Sequence, residues 1–297
     1  MAEPNPILHA RSHILAAIRA WFAEQGFIEA DVGALALSPG AEVNTHAFQT
    51  QTGQYLHTSP EFAMKRFLAA GEQKIYFLGK VYRAGEEGPL HAPEFTMLEW
   101  YRAGAPYEAV MDDAAAIVRL AAEVAGAESF AWKGRACDPF ASEERLTVRG
   151  AFDRHAKTPP PEDPDAFAAA LVTKVEPNLG APTLTVLHEY PLSEAALARR
   201  CPHDPAVAER FELYASGVEL ANGYGELTDP AEQRARLEEA MADKHRRYGE
   251  AWPIDEAFLQ SLAAMPPASG CALGVDRLVM LALQAPSLRH VLWTPPS

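Results

Sequence analysis

Two strand-like runs separated by ten residues set the first limit on how this chain can fold. "KIYFLGKVYR" and "EFTMLEWYR" both have the aromatic and β-branched content of strands, and "AGEEGPLHAP" joins them. That connection is too short for a parallel crossover, so the two runs are read as antiparallel neighbours joined by a long hairpin loop. The second run is unusual for a strand. Charged Glu94, Glu99 and Arg102 are threaded through Phe95, Met97, Leu98, Trp100 and Tyr101, and Arg83 closes the first run. An ion placed in apolar surroundings costs several kcal/mol unless it is paired, so a fold that keeps these charges is expected to use them.

The remaining pattern fills in around this pair. Ile14, Leu15, Ile18, Trp21 and Phe22 recur at helical spacing between Ile7 and Gln25, and Gly26 stands where a C-terminal cap belongs. "FIEADV" reads as a strand, Ser59-Pro60 opens a short helix, and Pro106 begins another that runs to about Gly126. The Pro-rich, acidic stretch at 157–166 reads as an exposed linker or insertion. Beyond it come a strand, "TLTVLHEYP", the segment "ERFELYASGVELANGYGEL", and a helix starting at Asp229. There Asp229 is the N-cap, Pro230 the first helical residue and Glu232 the third, a capping-box arrangement. Finally "SGCALGVDRLVMLAL" passes from a small-residue strand into an apolar helix. Strands in antiparallel runs, with helices between and after them, predict an α+β fold: an antiparallel sheet flanked by helices.

Composition narrows the class of function. With 297 residues, 48% apolar and 22% charged, the chain can bury a sizeable core, as one large domain or two small ones. A formal net charge of −14 argues against a nonspecific grip on nucleic acid, which needs concentrated Lys and Arg. Cys137, Cys201 and Cys271 are odd in number and far apart, which suggests neither a disulfide framework nor a zinc knuckle. The start, "MAEPNPILHA", has no basic segment followed by an apolar one, and no apolar run approaches membrane-spanning length. A cytoplasmic location is expected.

Three segments far apart in sequence carry charge among apolar residues: Arg83 with Glu86, Glu87, His91, Glu94 and Glu99; Glu212, Glu219, Asn222 and Glu226; and Asp276-Arg277 after Gly270 and Gly274. Singly, each has an ordinary explanation as a structural ion pair, a solvated strand face or a packing accommodation. Jointly and in this order, they resemble the catalytic core of the class II aminoacyl-tRNA synthetases. "VYRAGEEGPLHAPEFTMLEWYR" matches that family's second motif, and "GVDRL" matches its third. "TSPE", "HAPEFTMLEWY", "GVELANGYGEL" and "GCALGVDRLVML" resemble the lysyl enzymes in particular, and the likeness runs from about Phe27 to Leu283. Within that group the chain resembles a truncated paralogue family, the elongation factor P lysine ligases. The lysyl-tRNA synthetases carry an N-terminal five-stranded domain that grips the anticodon; here the first helix leads directly into catalytic-core sequence, so residues 1–297 are expected to form a single catalytic domain without it. One substitution points the same way. Where those synthetases have Gly-x-Gly-x-Gly, this chain reads Gly270-Cys271-Ala272-Leu273-Gly274, and the paralogues likewise have Ala at the centre.

The resemblance implies a reaction and a set of residues. ATP adenylates (R)-β-lysine, or lysine less well, and the product is passed to a lysine side chain of elongation factor P, with no tRNA involved. Arg83 and Arg277 would be catalytic, Arg83 on the α-phosphate and substrate carboxylate, Arg277 on the γ-phosphate and stacking adenine against Phe95. Gly85, Glu86, His91, Ala92, Glu219, Leu220 and Gly274 would complete the ATP site, and Glu212 and Glu219 would hold Mg2+. Ser59, Pro60, Glu61, Tyr101, Asn222, Glu226 and Ala272 would bind the amino acid: Glu226 with Tyr101 for the side-chain ammonium, Glu61 for the other amine, Asn222 for the carboxylate. Glu99 would orient these groups, and the Ala272 methyl would crowd an α-amine, a change of the size worth roughly 1–3 kcal/mol of discrimination. A homodimer is also implied. The chain departs from the pattern at Gly85, where the family's second motif has a Glu that reads adenine and where Glu86 follows here; at Ala92, in place of a usual Asn; and at Gly33, in place of a first-motif Pro at the dimer interface. Two other readings stand beside this one: a truncated lysyl-tRNA synthetase that charges tRNA, and a noncatalytic paralogue that senses amino acid or nucleotide.

Overall fold

The computed structural model describes residues 5–295. Helix α1 (Pro6–Glu24) is capped by the Asn5 side chain, which accepts from the Ile7 amide at 3.0 Å, and it buries Arg11, Ile14, Ile18 and Phe22. Past its end Gly26 takes a left-handed φ of 76°, which turns the chain into strand β1 (Ile28–Glu29). Strands β2 (Leu35–Ala36) and β3 (Tyr55–Leu56) form a small ribbon, and helix α2 (Glu61–Ala69) follows. The long hairpin is β4 (Lys74–Tyr82) and β5 (Glu94–Ala103), and helix α3 (Tyr107–Ala125) ends at the left-handed Gly126. A second ribbon, β6 (Phe130–Trp132) and β7 (Arg135–Cys137), precedes β8 (Glu144–Thr147), α4 (Val148–Ala151) and α5 (Pro164–Ala170). Asp163 caps α5, so the last residues of the stretch expected to be a linker are helical, and Phe167 just beyond them is buried.

The second half supplies β9 (Thr185–Pro191), the hairpin β10 (Val207–Ala215) and β11 (Val218–Gly225), α6 (Pro230–Tyr248), α7 (Glu256–Leu262), β12 (Ala268–Gly274) and α8 (Val275–Ala282). Asp229 caps α6 as expected, accepting from the amides of Ala231 and Glu232. The reciprocal half of the capping box is replaced: Glu232 holds Arg236 at 2.6 Å and Arg200 at 3.2 Å, charged partners that bind a carboxylate more strongly than a backbone amide does.

Eight strands make the central sheet in the order β1-β4-β5-β12-β11-β10-β9-β8. Its middle six strands are antiparallel, as the sequence predicts, while β1 on β4 and β8 on β9 are parallel, so the sheet is mixed at both edges. The decisive placement is that of β12, which threads between β5 and β11 although more than forty residues separate it from either in sequence. One face packs on α1, α3 and α8 through Phe22, Trp100, Val110, Leu273 and Leu278. The other face carries, in one row across neighbouring strands, Phe77, Glu99, Ala272, Asn222 and Glu212.

Arg11 and Asp276 lock α1 to the start of α8. They meet at 2.5 Å while 4% and 2% exposed, and Asp276 also accepts from the Thr96 amide at 2.7 Å as Arg11 reaches the Thr96 hydroxyl at 2.9 Å. Removing one partner strands a buried charge, so Arg11→Met should cost about 3–5 kcal/mol in urea unfolding. Arg19→Ala, which breaks a pair with Glu29 whose side chains are 46% and 40% exposed, should cost less than about 1 kcal/mol. Equal losses in the two variants would show that the buried pair has no special role.

Candidate active site

A cavity of about 190 Å3 opens on the face of the sheet opposite α1, α3 and α8. Strand β5 contributes Phe95, Met97, Glu99 and Tyr101, β11 contributes Glu219, Leu220, Asn222 and Tyr224, and β12 contributes Gly270 to Gly274. Period-two alternation puts Glu99 and Tyr101 on the same face, and the register sets each beside its neighbours: Glu99–Ala272–Asn222 in one row, Tyr101–Gly270–Tyr224 in the next. Gly270 is required there, because a Cβ at that position would lie 2.6 Å from Glu226 Oε1. A register shift between Leu213 and Tyr214 pairs Tyr214 with Glu219 and leaves Leu220 as the extra residue, a bulge of the kind that re-aims side chains near functional sites.

One end of the cavity is cationic. Arg277 donates to the carbonyls of Leu90 (3.1 Å) and Glu219 (2.9 Å) and to His91 Nε2 (2.9 Å), and lies 3.3 Å from a Glu219 carboxylate oxygen. Burial, with Arg277 and Arg83 nearby, lowers the His91 pKa. The imidazole is therefore neutral, accepting at Nε2 and carrying its proton on Nδ1. Arg83 lies 3.7 Å from Glu86 and stacks over Phe95 at 5.2 Å from the ring centre. The guanidinium over the Phe95 ring is that of Arg83. Gly85 has a left-handed φ of 77° and stays out of the wall, and Glu86 lines the cavity.

The other end is anionic. Glu61, Glu99 and Glu226 are buried there, and all three line the cavity. Lys65, fully buried and not singled out from the sequence, sits between two of them, 2.5 Å from Glu61 and 2.6 Å from Glu226. Burial would lower its pKa, but Glu226 and Glu61 together raise it, so it remains an ammonium. Glu61 and Glu226, expected to receive the two substrate amines, share this internal cation. The Tyr101 hydroxyl donates to Glu99 at 2.7 Å, and Ser59 donates to the other Glu99 oxygen at 2.7 Å. The Ser59 hydroxyl in turn accepts from the Glu61 amide, which ties the start of α2 to β5. Burial, then repulsion from Glu61, pushes the Glu99 carboxyl up to about 8, and burial pushes Glu226 up to about 7 despite Lys65. The signal for Lys65 was present in its position four residues after Glu61 on a helix, inside the otherwise apolar "FAMK".

The two carboxylates expected to hold a metal differ in what they face. Glu219 faces the cavity, whereas Glu212 does not line it; Glu212 receives Arg210 at 2.5 Å and the hydroxyls of Tyr190 and Tyr214. Burial and the Glu212 charge both raise the Glu219 pKa, and Glu176 beside them is pushed up to about 7 for the same reasons. Among the described residues no group of three His, Cys, Asp or Glu side chains is arranged to hold a metal ion alone. Of the other residues expected in the site, Ser59, His91, Ala92, Leu220 and Gly274 line the cavity, and Pro60 stands behind it as the residue preceding α2. Glu42, which the sequence did not mark, lines it as well.

The Glu99 shift has a consequence for stability. A carboxyl whose pKa is raised from 4.5 to about 8 binds its proton more tightly in the folded state, so its contribution is full below about pH 4.5 and is lost as pH rises through about 8. Glu99→Gln removes that titration. The difference in urea midpoint between wild type and variant should therefore change steadily in the variant's favour from pH 5 to about pH 8 and level off above it, and a constant difference would show that Glu99 is ionised throughout.

Comparison with known proteins bears on this site. The family described as tRNA synthetases class II (D, K and N) matches residues 2–296. The protein of Vibrio cholerae serotype O1 named "Elongation factor P--(R)-beta-lysine ligase" is 39% identical over 294 residues, which cover 93% of this chain and 91% of that protein. Proteins of the same name from Erwinia tasmaniensis and Salmonella gallinarum are 39% and 38% identical over 95% and 97% of this chain, and 92% and 94% of their own lengths.

Proposed function

Because this chain belongs to the class II tRNA synthetases of the D, K and N group, and within it to the family of ligases that modify elongation factor P, we propose that it adenylates (R)-β-lysine, or lysine less well, and transfers it to a lysine side chain of elongation factor P. The observation that carries this reading is the polarity of one cavity, with guanidinium groups at one end and a buried excess of carboxylates at the other. A diamino acid has the matching polarity, with its carboxylate towards the nucleotide and its ammonium groups towards Glu61, Glu99 and Glu226.

The chemistry assigns work to each end. A carboxylate oxygen of the amino acid attacks the α-phosphorus of ATP, the bond to the β-phosphate oxygen breaks, and pyrophosphate leaves. Two anions must meet in that step, and Arg83 and Arg277 supply fixed positive charge where negative charge gathers. Phe95 offers a face for the adenine ring once Arg83 swings from it to the phosphates, and Glu86 takes the place of the family's adenine-reading carboxylate. Glu219 fits as a ligand for Mg2+ brought in with the nucleotide, since this ion commonly takes one or two carboxylates and fills its shell with phosphate and water oxygens. Glu212, fixed by Arg210 and two tyrosines, stands behind it; the ion, when bound, offsets phosphate charge. In the second half-reaction the neutral amine of the acceptor lysine attacks the acyl carbon, an amide bond forms, AMP departs with the bonding electron pair, and the nitrogen sheds a proton.

ATP–pyrophosphate exchange measured with (R)-β-lysine and L-lysine side by side tests the first half, and ATP-dependent gain of one lysyl unit by purified elongation factor P tests the second. Exchange with the β-isomer above the α-isomer, a modified acceptor, and no label passed to tRNA are expected. Exchange with neither isomer sinks the proposal. Arg83→Ala should lower exchange about a hundred- to a thousandfold, the usual loss for one donor to a charged transition state, with the fold intact by circular dichroism.

A further inference from the structure

Glu61 and Glu226 are joined through Lys65, and Glu99 is held by Ser59 and Tyr101. Another carboxylate that lines the cavity, Glu42, is committed to none of them: its Oε2 is buried and accepts no hydrogen bond from the described residues. Glu42 lies on the connection between β2 and β3, and that connection is fastened. Lys244 of α6, itself fully buried, donates to the carbonyls of Val43 at 3.0 Å and Thr45 at 2.5 Å, and its ammonium packs 4.3 Å from the centre of the Trp252 ring. On the other side of Glu42, Thr58 donates to the Pro39 carbonyl at 2.7 Å, and Gly40 leaves room that a Cβ would take away, 2.7 Å from both Glu42 Oε2 and Thr58 Oγ1. A carboxylate anchored on both sides along the chain and facing a cavity without a partner is prepared for a cation that arrives from outside.

Resting on the reading of this cavity as a diamino-acid site, we propose that Glu42 is a specificity-determining residue that receives the ammonium nearest the substrate carboxylate. The placement of the neighbouring groups supports it. Lys65 lies between Glu61 and Glu226, Glu99 is held by two hydroxyls, and the buried Lys244 beside Glu42 gives its hydrogen bonds to the Val43 and Thr45 carbonyls, which leaves the Glu42 oxygen without a donor among the described residues. The end of the cavity shared by Glu42 and Glu61 takes the amine that lies closest to the reacting carboxylate, which is the amine whose carbon position separates the two isomers. Glu226 and Glu99 take the distal one.

Glu42→Gln keeps size and polarity and removes the charge. In ATP–pyrophosphate exchange its KM for (R)-β-lysine and for L-lysine should rise about ten- to a hundredfold, the loss of one charge-assisted contact, while kcat and the KM for ATP change little. Inhibition by ε-aminocaproate, which keeps the distal amine and the carboxylate but lacks the nearer amine, should be the same in wild type and variant, and Glu42→Asp should restore part of the loss. An unchanged KM for both diamino acids overturns the inference. So does a parallel loss of ε-aminocaproate inhibition, which marks a general disturbance of the cavity. Failure of the wild-type protein to exchange with either isomer overturns the functional reading and this inference together; exchange by the wild type with an indifferent variant overturns this inference alone.

Discussion

The position of β12 between β5 and β11 is the constraint on which the site depends. It makes three sequence-distant segments into one continuous wall, so that Glu99, Ala272 and Asn222 stand side by side although more than 120 residues separate the first from the other two. A shift of one residue in either ladder would turn the whole row to the opposite face, against α3 and α8. The register is held from both sides. Trp100, Cys271 and Leu273 bury their side chains in the core on that face, while Gly270 lies under Tyr101 and Glu226 where any side chain would force the strands apart. Asp276, the second residue of the helix that β12 feeds, is fixed by Arg11 and the Thr96 amide, so the start of α8 and the Arg277 it carries are pinned to β5.

Electrostatics then divides the cavity in two. Burying four carboxylates beside one another would be prohibitive if each were ionised and alone, and the structure reduces the cost in three ways. Lys65 places a permanent positive charge between Glu61 and Glu226. Glu99 keeps its proton near neutrality. Glu42 approaches from a loop nearer solvent, being only part-buried as a residue. What remains is a field that favours cations at one end, and Arg83 and Arg277 favour anions at the other. In a partly dry cavity such fields act more strongly than they would on a surface, and they orient a zwitterionic ligand before any single contact forms.

Much of this was legible in the sequence, and the parts that were not share a physical reason. The β4–β5 pair, the helix ending at Gly126 and the strand-to-helix passage at Gly274 follow from local periodicity and caps, which need no knowledge of partners. Arg83, Glu219, Asn222 and Arg277 came from ordered motifs, and all four line one cavity. The partners of charges were invisible. Arg11 looked like one basic residue on an amphipathic helix, yet its counter-ion lies 265 positions away. Lys65 lies in the middle of a short helix, and only the packing of α2 beside β5 shows that it points inward. The parallel edges of the sheet were missed for a similar reason: β1 and β8 are short, and their pairing is decided by tertiary packing more than by local pattern.

Ala272 shows how a small change is given leverage by this arrangement. Its methyl stands between Glu99 and Asn222 on the floor of the cavity, in a strand that cannot retreat, because its other face is packed against the helices and its neighbours on both sides are hydrogen-bonded to it. A methyl on a mobile loop would yield to a ligand at little cost. Here the backbone has nowhere to go, so a group that enters within van der Waals distance meets the full repulsion, and the sheet converts one carbon atom into a restriction on where an amine can sit. The carboxylates above it attract ammonium groups wherever they can reach, and the floor decides which of those places are open. Attraction without the rigid floor would admit any short diamine, and the floor without the attraction would hold none; selection by amine position arises because both act on the same few ångströms.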